Sequence, residues 1–297
     1  MQFKLTLSET LRPLLAVLLA FLLGGLLMLI IGKDPFGIYG KMLAMSLGNS
    51  YGIGQVLFRA TPLILTGLAV AIPFQAGLFN IGGEGQVLMG AFACAVIGAA
   101  LPVGLPWVVA VPLCLIAAML AGSVWGGVAG LLKVHFGINE VITTIMLNFI
   151  AAAIAGYFLT NVFAVESTIR TKEIIGGARL ARLEFLFPRS PVNLSLILSI
   201  GAAIAFYFVI YKTKYGYELR AVGLNAEAAR YAGISNEKHV LVSMMAAGAM
   251  AGLVAANSVM GYKGYYEAGQ SSGAGILGIA VAMLAGSNPL WIIFSSL

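Results

Sequence analysis

Charge is what this chain lacks. Asp, Glu, Lys and Arg make up 9% of its 297 residues, against about a quarter in a soluble domain. Too few polar side chains exist to coat a water-facing core, so lipid must serve as solvent for much of the surface. Histidine and cysteine are also scarce, with two of each. His135 and His239 stand far apart near loop positions, where a histidine is usually just solvated. Cys94 and Cys114 lie in apolar runs without metal spacing and read as small residues in helix interfaces. No G-x-x-x-x-G-K-[ST] phosphate loop, H-E-x-x-H or G-x-S-x-G string occurs, so the chain is expected to bind no ATP and to hold no metal. A membrane-embedded enzyme would need paired acids or metal ligands at one membrane face. Only Glu84 and Glu140 approach that, with no ligand motif around them.

What is present is oil. Hydrophobic residues make up 60% of the chain and the mean hydropathy is +0.98. The net charge of +6 brings no stacking motif or basic face, so nucleic acid is not an expected partner. A helix crosses a bilayer in about 20 apolar residues. Runs of that order occupy Pro13–Ile31, Ala60–Ile81, Val141–Val165, Ser190–Tyr211 and Val240–Tyr262. Gly85–Leu132 is long enough for two spans, with "LPVGLP" (Leu101–Pro106) as the turn between them. Ser272–Gly286 is a shorter eighth candidate. "SNPLWIIFSSL" then starts another apolar segment that ends with the chain, which reads as a truncation. The expected fold is an all-α polytopic transmembrane bundle of about eight or more spans, a single domain over residues 1–297. Lys4 and Arg12 ahead of the first run imitate a signal peptide, but the run is long enough to be a retained span.

Small residues punctuate these runs. "GSVWGGVAG" (Gly122–Gly130) overlaps two G-x-x-x-G patterns, and Gly248 and Gly252 form another. Such spacing lets helix backbones approach closely in lipid. "GLAVAI" (Gly67–Ile72) resembles "GIAVAM" (Gly278–Met283), a faint internal repeat of the kind that many transport folds carry, though Gly- and Ala-rich sequence also repeats by chance. Orientation does not follow from loop charge. With every run a span, Lys133, Lys212, Lys214, Arg220, Arg230 and Lys238 fall on the N-terminal side, and Lys33, Lys41, Arg59, Arg170, Lys172, Arg179, Arg182, Arg189 and Lys263 on the other.

Three segments carry chemistry. In "GLFNIGGEGQ" (Gly77–Gln86), Asn80 is placed to cap a helix and Glu84 to sit in its first turn. The same residues, with Gln86, fit a broken helix beside a polar cavity, since irregular backbone survives at membrane depth only when covered by protein or water. In "HFGINEVITTIMLNFIA" (His135–Ala151), Asn139, Thr143, Thr144 and Asn148 enter an apolar helix, either to cap it and bind neighbouring helices or to face a solute. The third segment, Thr213–Val240, holds Asn225 as an N-cap, "AEAARYA" as a two-turn helix and Gly233 as its C′ residue. Too short to stand alone, that helix must dock on the protein's own loops or in a partner's groove.

The strings "GLFNIGGEGQVLMGA", "FGINEVITTIMLN" and "YGYELRAVGLNAEAARYAGIS" resemble the permease subunit of bacterial ABC importers of the branched-chain amino acid, ribose and nucleoside superfamily, closest to its nucleoside branch. The resemblance runs from about Thr61 to the C-terminus. It implies a permease paired with an identical or paralogous permease, two ATPase subunits that use ATP and Mg, and an extracytoplasmic binding protein or lipoprotein. Gly223, Leu224, Asn225, Ala228, Ala229, Arg230 and Gly233 match the family's coupling helix, in a cytoplasmic loop over about 212–239. Six spans precede that loop, so the N-terminus is cytoplasmic, in a bacterial plasma (inner) membrane, and the 163–190 loop is extracytoplasmic. A neutral, flat solute such as a nucleoside suits Asn80, Gln86, Asn139, Thr143, Thr144 and Asn148 for hydrogen bonds and Phe74 and Phe79 for stacking, with Glu84 beside them. The rival from another class is an ion-coupled secondary transporter, which would also show broken helices.

Overall fold

The computed structural model describes residues 7–297 of the chain; Lys4 and its proposed topological role lie outside them. The order is α1 (Leu7–Ile30), α2 (Pro35–Leu47), α3 (Ser50–Phe74), α4 (Gly83–Ala100), α5 (Trp107–Phe136), α6 (Glu140–Phe158), α7 (Ser195–Lys212), α8 (Lys214–Leu224), α9 (Ala226–Tyr231), α10 (Asn236–Gly252), α11 (Ala274–Leu284) and α12 (Pro289–Ser295). Two π-helical turns, Leu159–Phe163 and Ala256–Lys263, prolong α6 and α10. The described residues hold helices and isolated bridges but no strands. The chain divides into two compact units, residues 1–53 and 54–297.

In the first unit a helix follows the first apolar run that sequence reading did not foresee. Asp34 caps α2 by accepting from Phe36 N and Gly37 N at 3.0 and 2.9 Å. Pro35 follows at the first helical position, where its missing N–H costs nothing. Tyr39 Oη donates to Phe21 O at 2.8 Å, and the two rings meet edge-to-face.

The second unit holds the bundle. Six helices of the described residues are long and apolar enough to cross a membrane. α11 and α12, bent by 113° at their junction, supply a further crossing if taken together, and the Leu15–Ile30 part of α1 is a shorter apolar helix. Each expected run contains a helix, but several boundaries move. The Ala60–Ile81 run is helical from Ser50 to Phe74, because Pro73 and the left-handed Gly77 (φ +75°) end the helix before Asn80. Arg59 therefore lies inside α3, not in a preceding loop. Ser190–Leu194 belongs to an irregular cap over residues 164–194, which pairs with the chain near Met260–Glu267 through Thr171 N to Tyr266 O at 2.9 Å and Leu180 N to Met260 O at 3.0 Å. The turn between α4 and α5 is at residues 101–106.

Glycine sets how closely the central helices approach. A Cβ on Gly122 would collide with Gly248 O, one on Gly248 with Gly122 O, and one on Gly252 with Ala118 O. Backbone thus lies on backbone along the α5–α10 seam, as the small-residue spacing predicts. The two similar strings also meet: a Cβ on Gly278 would strike Thr66, and one on Gly67 would press on Val281. Around them Leu68, Ala69, Val281, Ala282 and Ile292 form a buried cluster. Cys94 and Cys114 are both buried, on α4 and α5.

Gly248→Leu is expected to lower the melting temperature in detergent, since overpacking a filled contact costs about 1–3 kcal/mol or more. Gly156→Leu, where a Cβ meets open space, is expected to leave it unchanged within a degree or two. Equal behaviour of the two variants would contradict the close seam.

Candidate functional site

Prolines inside a helix leave carbonyls without donors. Pro73 has no N–H for Ala69 O, four residues earlier, and Pro62 has none for Phe58 O. In the structure each orphan is taken by a distant asparagine. Asn80 Nδ2 donates to Ala69 O at 3.1 Å, and Asn257 Nδ2 donates to Phe58 O at 3.3 Å.

Helix starts leave N–H groups free. The residue capping α4 is Gly82, which has no side chain. This corrects the expectation that Asn80 caps that helix; its Oδ1 accepts instead from Gly82 N at 3.0 Å, closing a local turn. The missing cap comes from α6, where Asn148 Oδ1 accepts from Gly85 N at 2.8 Å while Asn148 Nδ2 donates to Ile81 O at 2.9 Å. α11 likewise begins after Gly273, with no capping side chain. Glu84 supplies it, accepting from Gly275 N at 3.0 Å and from the Ser271 hydroxyl. Both acceptors of Glu84 are thus used at a helix N-terminus, where the macrodipole favours a carboxylate.

The amides of Asn80 and Gln86 complete this knot. Asn80 Nδ2 donates to Gln86 Oε1 at 3.1 Å, and Gln86 Nε2 donates to Asn80 Oδ1 at 3.2 Å. Asn80 is 0% exposed and Gln86 1%. Thr144 Oγ1 accepts from Ile81 N at 3.2 Å and donates to Glu140 O at 2.7 Å. The structure therefore brings Asn80, Glu84, Gln86, Thr144 and Asn148 together. Asn139 and Thr143 are not in the knot. Asn139 is exposed and caps α6 through Val141 N at 2.9 Å, and Thr143 Oγ1 donates back to Asn139 O at 3.0 Å. Glu140, beside them, pairs with Lys133 at 2.8 Å. Phe74 and Phe79 meet edge-to-face with centroids 6.4 Å apart.

A cavity of about 500 Å³ opens beside the knot, lined by Glu84, Asn148, Phe149, Tyr266, Ser271 and Ile276 among others. Of the expected solute-facing residues, only Glu84 and Asn148 lie on it.

The third segment folds as its caps dictate. Asn225 Oδ1 accepts from Ala228 N at 3.0 Å, and Gly233 (φ +80°) lets Ile234 N reach back to Ala229 O at 3.0 Å. Asn236 Nδ2 fastens α9 by donating to Ala226 O at 2.7 Å. Ala229 is buried, whereas Ala228 and Arg230 are exposed, Leu224 is 88% exposed and Tyr231 94%. Gly223 packs against the Gln75–Gly77 turn so closely that a Cβ would strike Gln75 O. That turn leads directly into Asn80. Behind α9, His239 is buried, not solvated as its loop-like position suggested. Its Nδ1 is 2.8 Å from Ser235 O, its Nε2 is 3.3 Å from Glu218 Oε2, and its ring stacks on Tyr215 at 5.1 Å. Burial pushes the Tyr215 hydroxyl up to about 12.

Sequence reading missed Asn257, Ser271 and His239. The two prolines inside one apolar run were the available signal for Asn257, since each implies a donor elsewhere.

These features define a polytopic helical membrane protein built around interrupted helices that cap one another in the bundle interior, with a short docking helix at one end. Residues 52–297 match the family described as "Branched-chain amino acid transport system / permease component", and the chain belongs to it, as a permease subunit of an ABC transporter. It is 39% identical over 293 residues to the guanosine ABC transporter permease protein NupP of Bacillus subtilis, covering 98% of this chain and 83% of that protein. It is 36% identical to the nucleoside ABC transporter permease protein NupB of Lactococcus lactis, over 97% of this chain and 81% of that one. The glucose ABC transporter permease protein TsgB13 of Haloferax volcanii is 35% identical, over 96% and 77%. No solved structure matches the chain.

Asn80→Leu is expected to destabilise the chain by about 1–3 kcal/mol, because Ala69 O is left buried without a donor. In a Pro73→Ala background the restored backbone N–H can take that carbonyl, so the same substitution is expected to cost distinctly less. Thermal melts of the four proteins in one detergent check this, and strict additivity would contradict the assignment.

Proposed function

We propose that this chain forms the translocation pathway of an ATP-driven importer for nucleosides or related small polar solutes, working by alternating access. The observation that carries the coupling half is the α8–α9 corner. Leu224 at the end of α8 and Ala228 and Tyr231 on α9 are exposed, while Gly223 of α8 rests on the turn that enters the Asn80 knot. A push on α9 is thereby delivered to the breaks in α3, α4 and α11. The names of the two nucleoside relatives support the solute class, and the glucose relative keeps sugars within the test.

In this reading α9 faces the cytoplasm and meets a groove on an ABC ATPase, which binds and hydrolyses ATP with Mg. The N-terminus shares that side of a bacterial plasma membrane. A second permease, identical or paralogous, completes the pathway, and an extracytoplasmic binding protein or lipoprotein delivers solute to the opposite side. Glu84 and Asn148, on the cavity beside the knot, meet solute. Asn80, Gln86 and Thr144 hold the breaks closed between cycles, and Asn139, Thr143, Phe74 and Phe79 border the inner end. The chain itself performs no covalent chemistry; the reaction is carried by its partner.

Tyr231→Glu and Leu224→Glu are expected to abolish solute-stimulated ATP hydrolysis by the reconstituted transporter, with the melting temperature of the permease unchanged. Both positions are solvent-facing, unlike the buried Ala229, whose enlargement would disturb α9 itself. Unaltered stimulation would reject the docking role. Uptake of labelled guanosine by the wild-type complex, competed by unlabelled nucleoside and not by glucose, is the expected substrate result; the reverse competition would move the assignment to sugars.

A further inference from the structure

A second cavity, of about 550 Å³, lies along the first half of α3, away from the Phe74 end that meets Gly223. Its size is within the range of about 300–1,000 Å³ usual for small-molecule sites. Gln55, Phe58, Arg59 and Pro62 line one wall, at i, i+3, i+4 and i+7 spacing that puts them on one helix face. Tyr262, Lys263 and Gln270 line another. The rings of Phe58 and Tyr262 lie 5.1 Å apart and tilted by 58°, which gives the cavity an aromatic flank.

The polar groups on this wall are unequally satisfied. Asn257 is fully used: its Nδ2 holds Phe58 O, and its Oδ1 accepts from Asn193 and Ser195. Lys263 pairs with Glu267. Gln270 Oε1 accepts from Glu267 N at 3.1 Å, but its buried Nε2 has no partner. Arg59 has no acidic partner among the described residues, although it sits inside an apolar helix. No carboxylate lines the cavity. Gln270 Nε2 and the exposed guanidinium of Arg59 thus offer donors to the cavity, and a cation within an apolar helix commonly marks a solute path. A buried donor left unmade is costly, and an incoming acceptor removes that cost.

We propose that this cavity is a solute-reading site in which Gln270 and Arg59 donate to the acceptor edge of a flat heterocycle held against Phe58 and Tyr262. Resting on the nucleoside reading above, it selects bases that present a carbonyl at that edge over bases that present an amino group. Ser271 borders both this cavity and the one beside Glu84. Solute leaving the first cavity thus meets the Glu84–Ser271 hydrogen bond next.

The test uses the intact transporter and two labelled probes with the same ribose and ring system, inosine and adenosine. Wild-type uptake is expected to favour inosine. Gln270→Ala is expected to lower inosine uptake on the order of tenfold, the worth of one hydrogen bond to a buried donor, and Arg59→Gln, at an exposed position, by about threefold, with adenosine changed less than about twofold in each. Gln270→Glu keeps an acceptor for Glu267 N and replaces only the unpartnered nitrogen. It is expected to shift the preference toward adenosine, an outcome that misfolding cannot produce. Equal transport of both probes by wild type, or equal losses for both in every variant, overturns this site while leaving nucleoside transport standing. Uptake of neither probe, with glucose transported, overturns both.

Discussion

Every break in a helix away from water releases backbone groups that must find a partner within the protein, since each one left bare in hydrocarbon costs several kcal/mol. This bundle has four such debts close together: two carbonyls opposite prolines in α3 and the bare starts of α4 and α11. Asn80 and Glu84 from one segment, Asn148 from α6 and Asn257 from the π-helical turn after α10 meet them. The polar residues that look like a solute path in the sequence are in large part this repair. Their placement decides where the helices are allowed to stop, and so where cavities form.

The repair works only because the helices are near enough to reach one another. A hydrogen bond of about 3 Å between side chain and foreign backbone requires neighbouring axes held close. Gly122, Gly248 and Gly252 provide that by bringing backbones into contact along the α5–α10 seam. With the seam fixed, the α4 start sits against α6 on one side and α11 on the other. The result is a plug of fully bonded polar groups between two differently built ends. One end carries an irregular cap over residues 164–194 and a donor-rich cavity; the other carries α8, α9 and the buried Tyr215–His239–Glu218 cluster. In the proposed alternating-access cycle, this plug is the seal that breaks and remakes without exposing bare backbone to lipid.

Much of this was legible in the sequence. The spans followed from run length, the 101–106 turn from proline and glycine, and α9 from an N-cap asparagine and a C′ glycine whose partners lie within a few residues. Local chemistry of that kind is written in adjacent letters. The start of α3 was not legible, because Arg59 looked like a loop charge when only the fold shows it on a cavity wall. The role of Asn80 was misread for the same reason: its position suggested a local cap, but Gly82 holds that place and Asn80 serves a proline-orphaned carbonyl on α3. His239 looked solvated because nothing local reveals that Tyr215 and Glu218 enclose it. What the sequence hides is satisfaction in trans.

The account stands on the two ends facing opposite compartments, with the knot between them. Single cysteines placed at Tyr231 and at Ser272, in intact cells and in inside-out vesicles, test this directly with a membrane-impermeant thiol reagent; the native Cys94 and Cys114 are buried and give little background. The account predicts that the cysteine at 231 reacts only in inside-out vesicles and the one at 272 only in intact cells. Labelling of both from the same side, or of 231 from outside, would contradict it.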